Sequence, residues 1–220
     1  MYYDKQTDIL YDNEPAMEAL FLSTKDIYIN YEAWGKSSEN NILFITGFSG
    51  SGKTTLGYKE ANNHYAVYYS IDHLQSGKPN LSNPFIKDIF DRCPEYKEFC
   101  INVSNGSLPP HSSESIKIIP KLISSIIESA REHYPNRKYI VEGFQLYSYC
   151  PAEYILGKPL IVKGTSALKS LMRRLKRDDE SIIHLNPLTS YLKIMRYYKW
   201  FTYDNKHMKS LIKTMKEYKK

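Results

Sequence analysis

Four short apolar runs stand out along the chain: Ile42-Leu43-Phe44-Ile45, Tyr65 to Ile71 (YAVYYSI), Tyr139 to Glu142 (YIVE) and Pro159 to Lys163 (PLIVK). Each is too short for a core helix and rich in β-branched or aromatic residues, which predicts strands at 41–46, 65–71, 139–142 and 159–163. Between them the hydrophobic period lengthens. Residues 54–63 read as a helix following the first strand. Ile116, Ile119, Ile123, Ile126 and Ala130 recur in steps of three and four, which predicts an amphipathic helix over 112–133 that Pro120 should kink or delay. Two shorter helices are expected at 84–92 and 95–101, divided by Pro94. Thr165 or Ser166 would cap a further helix to about 177, with Leu168, Leu171, Met172 and Leu175 on one stripe. Asn186-Pro187 starts another helix over 187–201, and a last basic helix fits 205–219. Upstream, Asp26 to Trp34 (DIYINYEAW) alternates enough for a short strand covering a sheet edge.

Strands that alternate with helices predict a mostly parallel sheet with helices on both faces, a three-layer α/β sandwich. At 220 residues one globular domain is expected. Within it, 1–40 would be a polar extension or edge strand packed on the core. Residues 41–186 would form the core, with a lid helix at 165–178, and 187–220 would be basic helices of the same domain. In such sheets ligands sit beyond the carboxyl ends of the strands. The loop after 46, Asp72, Glu142 and Gly164 all fall at such ends.

The loop after the first strand carries the most chemistry. Gly47, Gly52, Lys53 and Thr54 fit the pattern G-x-x-x-x-G-K-[ST]. A buried strand precedes it and a helix follows, the context the motif requires. Glycines at 47, 50 and 52 let main-chain N–H groups close around phosphate oxygens at a helix N-terminus. Gly47, Phe48, Ser49, Gly50, Ser51, Gly52, Lys53, Thr54 and Thr55 are therefore the expected phosphate-binding residues. Lys53 suits the β- and γ-phosphates, the Thr54 hydroxyl suits Mg²⁺, and Thr55 lies toward the α-phosphate.

Composition narrows the setting. The net charge of +6 and an isoelectric point near 9.0 favour polyanionic partners, nucleotides or nucleic acid. The three cysteines, at 93, 100 and 150, have no C-x-x-C spacing and read as reduced thiols. No apolar run is long enough to span a bilayer, and the polar start MYYDKQTDIL does not read as a signal peptide. A cytoplasmic protein without membrane contact is the expectation. Its oligomeric state is left open.

Other nucleotide-binding classes fit less well. A GTPase would want N-K-x-D, but Asn205-Lys206 is followed by His207-Met208, and no apolar strand ends in Asp-Glu as a motor ATPase would need. LFITGFSGSGKTT, followed by YYSID, resembles the P-loop kinase superfamily that includes polynucleotide kinases, zeta-type toxins and nucleoside or nucleoside-monophosphate kinases. The YIVEG segment, Tyr139 to Gly143, is similar to the V-E-G turn of uridine-kinase-like enzymes. The resemblance covers 41 to about 178, and no fifth core strand is evident after Lys163. It implies the P-loop NTPase fold with a helical lid, ATP and Mg²⁺ as cofactors, and transfer of the γ-phosphoryl group. It also implies that Asp72 faces the γ-phosphate and the acceptor, as a base or near the metal, and that Glu142 lies near the metal.

Each site residue also has a plainer reading. Asp72 is a solvated carboxylate or a helix N-cap if it is not the base that takes the acceptor's proton. Glu142, at the end of an apolar strand, either contacts Mg²⁺ through water or pairs with a neighbouring Lys or Arg. Gln145 is placed to read substrate. Lys169, Arg173 and Arg177 share one face of the lid helix, so Arg173 and Arg177 are the candidates to neutralise transferring charge; a basic solvated face is the alternative. In the tail, Lys193, Arg196, Lys199, Lys209, Lys213, Lys216, Lys219 and Lys220 interleave with Tyr197, Tyr198 and Trp200, as a nucleic-acid surface or as helices closing the fold. The expected function is an ATP- and Mg²⁺-dependent kinase acting on a small nucleotide-like or sugar-like acceptor. The alternatives are a 5′-hydroxyl polynucleotide kinase and an ATP-binding regulator with little turnover.

Overall fold

A computed structural model describes residues 2–4, 9–11, 25–72, 82–104, 107, 114–148, 155–166, 169, 170, 172, 173, 195, 199, 208–215 and 217. Strands β1 (Tyr2–Asp4) and β2 (Ile9–Tyr11) pair with each other as an antiparallel ribbon. Among the described residues the main sheet has five strands: β3 (Ile27–Ile29), β4 (Ile42–Gly47), β5 (Val67–Ser70), β6 (Tyr139–Glu142) and β7 (Leu160–Lys163). Their spatial order is β3-β7-β4-β6-β5. The last four are parallel; β3 runs antiparallel along the edge of β7, with Ile29 opposite Leu160. The fifth strand thus comes from upstream of the phosphate-binding loop rather than from the chain after Lys163.

Alternation along β4 builds two cores. Ile42 and Phe44 join Tyr69, Val141, Leu160 and Val162 on one face, while Leu43 and Ile45 join Ile140 and Ile161 on the other. The second face is covered by Trp34 and by α1 (Lys53–His64), which contributes Ala61 and Leu56. The first is covered by α2 (Pro84–Arg92), α3 (Pro94–Ser104) and α4 (Glu114–His133), by Leu146 of the short α5 (Gln145–Ser148), and by Met208, Leu211 and Met215 of the helical residues 208–215. With helices on both faces of a mostly parallel sheet, this is the three-layer α/β architecture that P-loop proteins use.

Two elements depart from their sequence pattern. Strand β5 is shorter than 65–71 because Tyr65 adopts a left-handed conformation, φ 51°, and its N–H bonds the Ala61 carbonyl to end α1. At the other end Ile71 and Asp72 already turn helically. Helix α4 begins at Glu114 and carries Pro120 inside it. The missing N–H there is outweighed by burial of Ile119, Leu122, Ile123, Ile126 and Ala130 against the sheet. Helices α2 and α3 match the expected spans closely. Of the helices expected at 166–177 and 187–201, only isolated positions fall among the described residues.

Candidate active site

Strand β4 lies between β6 and β7; the chain leaves β4 towards β5 on one side, whereas from the adjacent β6 it crosses in the opposite direction to β7. Its carboxyl end is therefore a topological switch point, where a crevice opens. The loop that follows is held open by three glycines, Gly47 at φ 145°, Gly50 at 77° and Gly52 at 95°. A Cβ at Gly47 would stand 2.6 Å from the Lys163 carbonyl oxygen of β7, so the close approach of two strand ends excludes any side chain there. The Ser51 N–H closes a turn onto the Phe48 carbonyl at 3.0 Å. Helix α1 then starts at Lys53 from a left-handed Gly52 and has no side-chain cap. Its first N–H groups point, without internal partners, into the crevice, where phosphate oxygens satisfy them best.

Lys53 occupies the mouth of this cradle and is buried. Its ammonium donates to the Phe48 carbonyl at 3.2 Å and stands 3.8 Å from Glu142 Oε1. Glu142 ends β6 and is wholly buried. The Tyr68 hydroxyl donates to its Oε2 at 2.8 Å, and the Thr54 hydroxyl stands 3.5 Å from the same oxygen. Burial, and then the neighbouring Glu142 charge, push the Tyr68 phenol well above its ordinary value, so it remains a donor. Glu142 Oε1 makes no hydrogen bond among the described residues. Both readings of Glu142 keep support: Lys53 stands at ion-pair distance from Oε1, and the Thr54 hydroxyl stands beside Oε2, which Tyr68 also holds.

The Glu142 carboxylate and the neighbouring Thr54 hydroxyl are hard oxygen donors of the kind a divalent cation takes, directly or through water. No three His, Cys, Asp or Glu side chains gather as a metal cage among the described residues. A Mg²⁺ ion here would draw most of its ligands from phosphate and water, as this ion usually does.

Asp72 lies two residues beyond β5, in a helical turn and half-buried. The buried Gln145 side chain of α5 donates from Nε2 to Asp72 Oδ1 at 2.7 Å. Gln145 is therefore a holder of Asp72, where its sequence position had suggested substrate reading. Gly143 makes this possible: a Cβ there would fall 2.5 Å from Gln145 Oε1 and 3.1 Å from Ile71. The turn itself is pinned to the central strand by Thr46 Oγ1 donating to the Gly143 carbonyl at 3.0 Å. Tyr96 of α3 packs close enough to Asp72 for the carboxylate's charge to help hold its phenol protonated, after burial and Cys100.

The described part of the lid also meets the loop. Arg173 Nη1 donates to the carbonyls of Gly50 at 3.0 Å and Ser51 at 3.1 Å, and the Ser170 hydroxyl donates to the Ser49 carbonyl. Arg173 thus touches the outside of the loop. Arg177 lies outside the described residues. So do His73, Arg174 and most of the basic tail; Lys199, Lys209 and Lys213 are exposed. No described helix is long and apolar enough to cross a membrane.

Three contacts at this end of the sheet had escaped notice in the sequence, made by Tyr68, by the Asp26–Lys163 pair and by Ser170. Tyr68 was one aromatic in a tyrosine-rich strand, yet Gly57 in the middle of α1 was its signal. A Cβ at Gly57 would sit 2.3 Å from the Tyr68 ring, and a glycine inside a helix usually marks a close approach. Asp26 and Lys163 form the second pair, with Nζ–Oδ distances of 2.7 and 2.9 Å, and the Gly164 N–H donates to Asp26 at 3.0 Å. They tie the β3 edge to the end of β7 across 137 residues, a link no local pattern reports. Ser170 is the third.

Against known proteins, the chain is 29% identical over 150 residues to a guanylate kinase from Synechococcus sp. (strain CC9311), a match covering 63% of this chain and 77% of that protein. No family model matches the chain. No solved structure matches it either.

Proposed function

We propose that this chain, which belongs to the P-loop kinase superfamily, transfers the γ-phosphoryl group of ATP to the phosphate of a nucleotide, with a nucleoside monophosphate as acceptor. The observation that carries the reading is the buried Lys53 at the mouth of an uncapped helix, flanked by Glu142 and by three left-handed glycines at a switch point. The nucleotide-like acceptor rests on the likeness to a guanylate kinase.

In this reading the loop amides of residues 48–54 and Lys53 hold the β- and γ-phosphates and lose no orientation energy when charge shifts between them. Thr54 and, through water, Glu142 would hold a Mg²⁺ ion, which would supply neutralisation of the phosphate charge. The bond from the γ-phosphorus to the β–γ bridging oxygen breaks as the acceptor oxygen attaches in line. Glu142, fixed by Tyr68, keeps Lys53 aligned until phosphate displaces it as the ammonium's partner. Asp72, held by Gln145, orients the acceptor, and takes its proton where the acceptor oxygen is a hydroxyl. Residues 25–40 act as an edge brace of the sheet through Ile27–Ile29 and Asp26.

The test is a coupled assay of ADP release with ATP·Mg²⁺ and a panel of the common nucleoside monophosphates, alongside nucleosides and a 5′-hydroxyl oligonucleotide. Turnover with one or more monophosphates is expected. Turnover only with the oligonucleotide replaces the acceptor proposed here, and tight ATP binding with no acceptor at all makes the chain a regulator.

A further inference from the structure

Arg173 was expected to reach for the transferring phosphoryl group, yet its described contacts lie elsewhere. Three successive loop carbonyls, those of Ser49, Gly50 and Ser51, accept hydrogen bonds from Ser170 and Arg173. The guanidinium also lies over the bare face of Gly52, where a Cβ would be 3.6 Å from Nη1. In a phosphate cradle the N–H groups converge inward and the carbonyls project outward. Each outward carbonyl belongs to the same peptide unit as the next residue's N–H. The Ser49 carbonyl shares a unit with the Gly50 N–H and the Ser51 carbonyl with that of Gly52, both available to phosphate, while the Gly50 carbonyl shares one with the Ser51 N–H that closes the turn onto Phe48.

We infer that Arg173 is a positioning residue for phosphate binding: from outside the loop it fixes and polarises the peptide units whose N–H groups face the nucleotide, with Ser170 as its neutral companion. Two physical effects act together. A cation on a carbonyl oxygen draws electron density across the peptide unit and makes its N–H a stronger donor, the cooperative strengthening of linked hydrogen bonds. It also fastens a glycine-rich segment whose ordering would otherwise be paid for on binding. A single nitrogen, Nη1, serves both carbonyls at 3.0 and 3.1 Å, and the weakly hydrated guanidinium gives up less to leave water than an ammonium would. The lid segment thereby senses the loop before any acceptor arrives. The inference rests on the nucleotide reading above, but concerns the polyphosphate alone and not the acceptor.

The role differs from that of an arginine on the γ-phosphate in which ligands feel it. Wild-type protein and the variants Arg173→Ala, Arg173→Lys and Ser170→Ala are titrated calorimetrically with ATP·Mg²⁺, ADP·Mg²⁺ and inorganic tripolyphosphate. Arg173→Ala is expected to weaken all three by the same factor, about 5- to 30-fold. Arg173→Lys should fall between it and wild type, and Ser170→Ala should lose about two- to fivefold. In steady-state turnover the loss appears in KM for ATP. As a spectroscopic mark, the Gly52 amide proton of ligand-free Arg173→Ala moves upfield from its wild-type position, while the melting temperature stays within a few degrees. A loss confined to ATP, or a fall in kcat with ADP affinity intact, overturns the inference in favour of a γ-phosphate contact. Equal affinities for all three ligands in wild type and Arg173→Ala overturn it outright. Wild-type protein that binds none of the probes overturns the nucleotide reading itself, and the brace with it.

Discussion

The two carboxylates at the ends of β5 and β6 sit on neighbouring strands and live in different surroundings. Glu142 is wholly buried, takes a hydrogen bond from Tyr68, and stands near Lys53 and Thr54. Asp72 is half-buried and held by one amide, from Gln145. A buried charge survives only when opposite charge and donors surround it, so the Glu142 end must be rigid before a ligand arrives. A half-exposed carboxylate is cheap to keep ionised and free to meet something that comes and goes. In the function proposed here, the contrast would separate a phosphate end, built from strands and the loop, from an acceptor end at Asp72.

The sharpest way to break this division is Lys53→Ala. It removes the buried cation that both Glu142 and the phosphates require, and turnover is expected to fall by about 10²- to 10³-fold or more in the coupled assay. Survival of turnover within tenfold would mean that phosphate charge is met elsewhere. Asp72→Asn comes next: about 10²-fold slower transfer with ATP affinity within about twofold of wild type, measured by single turnover and calorimetry. Equal damage to ATP binding would merge the two ends into one.

Gly57→Ala probes the phosphate end from behind. In a helix interior this change normally stabilises by about 1 kcal/mol. Here the added methyl collides with the Tyr68 ring, so a net loss of about 1–2 kcal/mol in urea unfolding is expected. Tyr68→Phe removes the donor to Glu142 and is expected to weaken ATP·Mg²⁺ binding by about tenfold. If Gly57→Ala stabilises the fold and leaves binding alone, Tyr68 is not the rigid post this reading makes it.

The smallest effect concerns the wall behind the acceptor end. Cys93 and Cys100 are both buried in the core that α3 shares with α2 and α4. Desolvation pushes the Cys100 thiol up to about 11. A raised value favours the neutral thiol, so at pH 8 only about one molecule in 10³ carries the thiolate at that site, and the fraction grows as pH rises. Mass spectrometry after iodoacetamide at pH 8 should find Cys100 unmodified in the native protein and alkylated in urea. Rapid native alkylation would show that this wall opens.

Much of this arrangement was legible before the coordinates. The strand, loop and helix of residues 41–64 are contiguous, and each segment's pattern agrees with its neighbours. The parallel strand ends at Glu142 and Lys163 followed from short apolar runs, and helices at 84–92 and 95–101 were expected where they lie, although Pro94, read as their divider, is the first residue of the second. Strand β5 was overdrawn because tyrosine reads as β-forming whether it lies in a strand or, as Tyr65 does, caps a helix at positive φ. The start of α4 was misjudged because a local penalty at Pro120 lost to a long buried stripe. Gln145 and Tyr68 were out of reach for another reason: their partners lie 73 and 74 residues away.

By itself the sequence determined the chemistry of the loop, because glycines, lysine and threonine act through the backbone they are joined to, and nothing distant is needed to make that cradle. It also determined the layered α/β plan, since hydrophobic period and length report burial directly. Only the tertiary structure decided which oxygen each carboxylate leaves open, that Asp26 fastens the end of β7, and that Arg173 grips the loop from outside. Those contacts depend on strand order and on side chains meeting across the sheet, where a difference of an ångström separates a hydrogen bond from none.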